Sequence, residues 1–113
     1  MSDDLNPGND LHPRHVLEVC LYMSDLEAAE RFYGGVLGLG VFSKVEGRHV
    51  FYKLDTQMLL LFNPDDTYKK TAVDADMPVP SHGVYGSGHV CFRADGEEIE
   101  RWVQRLNENG VAI

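Results

Sequence analysis

Cysteine is nearly absent: Cys20 and Cys91 are the two thiols in 113 residues. That is too few for the bridged scaffold of a small secreted domain, and each lies in an apolar, strand-like run. Both therefore read as small buried hydrophobes kept reduced, not as a disulfide. Basic residues are scarce as well. Ten Lys and Arg stand against 18 Asp and Glu, a net charge of −8, and the one basic doublet, Lys69-Lys70, makes no stripe. Phosphate backbones and anionic membrane surfaces would be repelled, so neither a nucleic-acid nor a membrane partner is expected. No apolar run approaches the roughly 20 residues of a membrane-spanning helix. The opening MSDDLNPGNDLHPR lacks the cationic start and apolar centre of a secretory signal, which implies a cytoplasmic protein. Ser-His-acid arrangements, phosphate loops and dinucleotide fingerprints are missing too. What is there is an ordinary globular composition, 43% hydrophobic and 25% charged, on a chain sized for one compact domain.

Residues 1–14 scatter Pro7, Gly8 and Pro13 among polar side chains without periodicity and read as a flexible arm. HVLEVCLYM, 15–23, is a predicted strand. Ser24 with Glu27 three residues on predicts a capping box, and Leu26, Ala29, Phe32, Tyr33, Val36 and Leu37 form one face of a helix that Gly38 and Gly40 stop. VFSKV (41–45), HVFYKLD (49–55) and QMLLLFN (57–63) predict an antiparallel meander, so 15–63 form a β-α-β-β-β unit. The proline- and glycine-rich residues 64–87 read as a linker or as a lid loop over a site. From 88 onward GHVCFRA predicts a strand, Asp95 a cap, and Ile99, Trp102, Val103 and Leu106 the apolar face of a second helix closed by Asn109-Gly110. VAI opens one more strand.

The chain also repeats itself. AERF (29–32) returns as IERW (99–102), and Gly40-Val41 as Gly110-Val111, at an offset of 70. With one residue of slippage Val19-Cys20 falls on Val90-Cys91 and Glu18 on His89. Residues 88–113 thus read as the start of a second βαβββ module, truncated at its C-terminal side. The expected class is α+β, with paired βαβββ modules of which the second is incomplete.

The passage LYMSDLEAAERFYGGVLGLGVF, with its D-L-x-x-A-x-x-F-Y-x-x-V-L-G-L pattern, and the strand GHVCFRAD resemble the vicinal oxygen chelate superfamily, the glyoxalase/bleomycin-resistance/extradiol-dioxygenase fold. The resemblance implies two modules enclosing a cavity, often with a divalent metal (Zn, Fe, Mn or Ni). It implies one metal ligand on the first strand of each module, Glu18 in place of a more usual histidine or glutamine, and His89. The fourth-strand position corresponds to Leu59, which cannot bind a metal, and the last-strand glutamate would lie beyond Ile113. The implied activity is that of a metal-dependent lyase or dioxygenase acting on a small oxygenated metabolite that chelates the metal, with Glu18 or the last-strand residue beyond Ile113 as the catalytic base and a homodimer as the assembly. The alternatives are a metal-free binder of the bleomycin-resistance kind, whose acidic face would suit a cation, and an inactive fragment.

Strand alternation bears on the same residues. Glu18, Cys20 and Tyr22 share one face and Leu17, Val19, Leu21 and Met23 the other, while His89, Cys91 and Arg93 oppose Val90, Phe92 and Ala94. The polar faces are expected to line a concave surface. On the residues alone, Glu18 reads rather as a strand-end carboxylate paired with a cation, and His89 as a partner of a loop carbonyl. Arg48 and His49 read as a solvated, turn-flanking pair, His82 as a loop residue, and Phe32 and Trp102 as core.

Overall fold

The structure, a computed structural model, describes residues 10–69 and 79–113. Most of the arm expected at 1–14 and the middle of the 64–87 segment lie outside those residues. Four short runs of alternating or wholly apolar residues form the sheet: β1 (Glu18–Tyr22), β2 (Gly40–Val45), β3 (His49–Lys53) and β4 (Met58–Phe62). Their order is β1-β4-β3-β2. The expected meander is present, antiparallel through β2, β3 and β4, with a bulge between Val41 and Ser43. β1 adds to β4 in parallel, Glu18 opposite Met58 and Tyr22 opposite Phe62.

One face of this sheet makes the core. Leu59 and Leu61 of β4 and Val50 and Tyr52 of β3 are at most 2% exposed, and they pack with Leu26 and Ala29 of α1 (Leu26–Glu30). Each of the buried Leu and Val side chains contributes about 1.5–3 kcal/mol by leaving water. α1 starts one residue later than its expected cap: Asp25, not Ser24, accepts from the Ala28 N–H at 3.0 Å. The predicted single helix also changes pitch, since Arg31–Val36 winds as a π-helix and Leu37 N–H returns five residues to the Phe32 carbonyl at 2.9 Å. Gly34 and Gly35 weaken the α-helical register here, and a Cβ on Gly34 would lie 3.5 Å from the Tyr52 hydroxyl, so the wider turn runs close over the core.

The segment after β4 is not plain loop. Pro64–Thr67 forms a short helix, α2, whose N-cap Asn63 accepts from Asp65 N–H at 3.1 Å; a proline at the first helical position suits this start. Residues 81–85 then pack back on α2. His82 N–H donates to the Thr67 carbonyl at 3.0 Å, the Tyr68 and Tyr85 rings stack at 5.7 Å, and Tyr85 hydrogen-bonds Asp65. Gly83, at φ +150°, permits the approach: a side chain there would meet Pro64, Thr67 and Tyr68 at 3.2 Å.

The second half departs from expectation. GHVCFRA is not a strand, and VAI opens none: between 79 and 95 and beyond 110 the chain is irregular. A strand is defined by a neighbour's hydrogen bonds, and none of the four strands pairs with this run. α3 (Gly96–Glu108) does form, because its signals are local. Asp95 accepts from the Glu98 N–H at 2.8 Å while its own N–H reaches the Glu98 carboxylate at 3.4 Å, a capping box. Yet no residue of α3 is buried; Trp102, expected in a core, is half-buried, and so is Phe32. The radius of gyration, 17.7 Å, exceeds the about 13 Å of a compact domain this long.

Candidate ligand-binding face

The strand pairing sets three rows on the sheet face turned away from α1. They are Glu18, Met58 and Lys53; then Cys20, Leu60 and Phe51; then Tyr22, Phe62 and His49. Glu18 is exposed. It forms no ion pair among the described residues, so a partnered strand-end carboxylate is not what the structure shows. Leu59, expected at the fourth-strand position, lies beneath α1 at 2% exposure. The β4 residues on the Glu18 face are Met58 and Leu60, because a shift of one residue turns a strand side chain to the opposite side. Neither has a ligand atom for a hard cation.

Cys20 and Cys91 are free and exposed, contrary to expectation. Partial burial, then the negative charge of Glu18, pushes the Cys20 thiol above its ordinary pKa.

His89 is exposed as well. Its run passes β1 near Leu21, since a Cβ on Gly88 would lie 3.6 Å from Leu21 Cδ2, and Val90 packs against the core cluster. Leu21 is three residues from Glu18, roughly 10 Å along the strand. Both side chains are exposed, but the run of His89 approaches β1 from the Leu21 side, opposite the Glu18 face, and the structure does not join them in a cluster. Among the described residues no three His, Cys, Asp or Glu side chains gather to hold a metal ion. Two clefts of about 260 and 180 Å³ lie elsewhere, the first between the start of α1 and the β2-β3 turn, the second on α3.

The far end of the same face is aromatic. Tyr22, Phe51, His49 and His82 surround Phe62 with ring centroids 5.8, 5.3, 6.1 and 4.6 Å away. His49 stacks on Phe51 at 3.9 Å and meets the Ser43 hydroxyl at 3.2 Å. Burial, then the charge of Arg48, holds its pKa below the ordinary histidine value. Arg48 is not simply solvated: it pairs with Asp66 at 2.8 Å. This stabilises the carboxylate, whose pKa falls mainly through the Arg48 hydrogen bond.

Compared with protein-family models, residues 14–113 match the Glyoxalase/Bleomycin resistance protein/Dioxygenase superfamily. The chain belongs to that superfamily. Among solved structures, a lactoylglutathione lyase from Agrobacterium tumefaciens is 40% identical with a TM-score of 0.79, over 90% of this chain and 74% of that one. A glyoxalase/dioxygenase from Nostoc punctiforme is 25% identical with a TM-score of 0.61, over 94% and 79%. A superfamily member from Nocardioides, 22% identical with a TM-score of 0.62 over 90% and 66%, shares the fold. A search of curated proteins gives no match. The superfamily generally uses a divalent metal. In this glyoxalase-fold chain the donor chemistry, one carboxylate and one imidazole, suits such an ion, but two donors do not complete a centre, and the described residues supply no third at the site.

Reading the sequence placed Glu18 correctly on the outward face. It missed the aromatic end, because His82 reaches Tyr22 from 60 residues away. The alternation that put Tyr22 beside Glu18 was the one available signal.

Proposed function

We propose that the chain is a glyoxalase-type lyase that acts on a small oxygenated metabolite at the Glu18 face. The 40% identity and 0.79 TM-score to a lactoylglutathione lyase carry this reading. Glu18 is its base: an exposed carboxylate beside apolar Met58 can take the proton from a carbon next to a carbonyl and return it to the neighbouring carbon, so that a thiohemiacetal becomes a thioester without net oxidation. His89 and Glu18 are the two donors this chain offers to a divalent ion, and a second copy of the chain is the source proposed for the rest. The exposed apolar stripe of α3, Ile99 at 52% and Val103 at 41%, supports such pairing.

The test supplies glutathione with methylglyoxal and follows thioester formation, with metal content measured on the same sample. Glu18→Gln is expected to lower kcat about 100-fold or more with a small change in KM, as for loss of a general base. His89→Ala is expected to lose bound metal. Turnover unchanged in Glu18→Gln would sink the assignment. Met58 and Leu60 on the flank of Glu18 favour a second reading, a metal-free binding protein, which stoichiometric metal in the purified protein would exclude.

A further inference from the structure

The aromatic end of the Glu18 face is filled by part of the chain itself. The His82 imidazole lies edge-to-face against Phe62, with centroids 4.6 Å apart and planes at 85°. Its Nδ1 and the Tyr22 hydroxyl share a hydrogen bond of 2.8 Å. Phe62, although it faces away from α1, is only 7% exposed. The segment that carries His82 is held by local contacts to α2 and the residues that follow it. The His82 N–H to Thr67 carbonyl bond and the Tyr68-Tyr85 stack anchor it, while Val84 and Tyr85 remain 60% and 66% exposed. Lifting this segment uncovers Phe62 and the Pro64 and Thr67 side chains under Gly83 but leaves the core beneath α1 in place, so its local opening costs less than global unfolding.

A seat that accepts a flat ring against Phe62 and satisfies Tyr22 at a ring nitrogen is chemically a site for a planar nitrogen heterocycle. We propose that the Tyr22–Phe62 end of the face is such a binding site, closed in this structure by His82 acting as an internal ligand. The site lies four residues along β1 from Glu18, roughly 13 Å, and does not depend on Glu18 being a base. Tyr22 gives it direction: its half-buried hydroxyl already bonds a ring nitrogen here, so a ring that offers a nitrogen gains a bond that a purely apolar one lacks.

Imidazole is the probe. In the wild-type chain the tethered His82 competes at an effective concentration in the millimolar range, so added imidazole is expected to leave the thermal unfolding midpoint unchanged. In His82→Ala the midpoint is expected to rise with imidazole and saturate, with half-saturation at least about tenfold below any wild-type response. Tyr22→Phe combined with His82→Ala is expected to weaken that response several-fold. Glu18→Gln combined with His82→Ala is expected to keep it, which separates this site from the catalytic proposal. Should His82→Ala be unfolded alone, imidazole must restore its native circular dichroism. The proposal is overturned by an equal response in wild type and His82→Ala, by a response indifferent to Tyr22→Phe, by one lost with Glu18→Gln, or by failure to restore an unfolded His82→Ala.

Discussion

Two stretches of this chain carry nearly the same pattern and meet different fates. In the first, AERF begins on a helix whose Leu26 and Ala29 are buried against β3 and β4, with Val19 and Leu21 of β1 beside them. In the second, IERW sits on α3, which has the better cap and the greater length, and buries nothing fully. The local signals are equal or stronger in the second copy, so the difference comes from the sheet. An amphipathic pattern states which face must be covered, and only neighbouring strands can cover it.

Removing packing from the first copy should have the largest effect. Leu61→Ala, at a residue with no exposure, is expected to lower the unfolding free energy by about 2–5 kcal/mol in chemical denaturation. Val103→Ala on α3 is expected to cost well under about 1 kcal/mol, and equal losses at the two positions would break the comparison. Removing the cap of α3 comes next. Asp95→Ala is expected to cost the helix about 1 kcal/mol, read as faster amide exchange across α3 while β3 and β4 keep their protection. If a second copy covers α3, that protection will also rise with protein concentration.

The smallest expected effect is one of pH. His49 belongs to the first copy, and its folded pKa lies below the unfolded value of 6.5. Above pH 6.5 both states are neutral and the residue has no effect. As the pH falls below that value the unfolded chain takes the proton first, so stability falls until the folded imidazole is protonated too. Thermal unfolding between pH 7.5 and 5 is expected to show a smaller decline in His49→Phe than in wild type.

The pattern of residues 15–63 was legible because each strand alternates or runs apolar and each break carries glycine or charge. The parallel β1-β4 contact was not, as nothing local distinguishes it from an antiparallel one. α2 was hidden in a segment whose prolines read as loop, although Asn63-Pro64 is a recognisable helix start. GHVCFRA has the composition of a strand and lacks a partner, and composition cannot report that. Alternation placed Glu18 on the face turned away from α1, whereas the Tyr22-His82 bond depends on how the chain folds back on α2.

The order of the sheet bears on how the molecule assembles. β2, β3 and β4 can zip together through turns of a few residues, but β1 must wait for a partner 40 positions further along, Glu18 meeting Met58. Closing that long loop is the costliest chain-entropy step in building the sheet. The carboxylate proposed to move the proton therefore rides on the strand whose pairing closes the longest loop in the sheet, so its placement beside Met58 is the part of the sheet most exposed to chain-entropy cost.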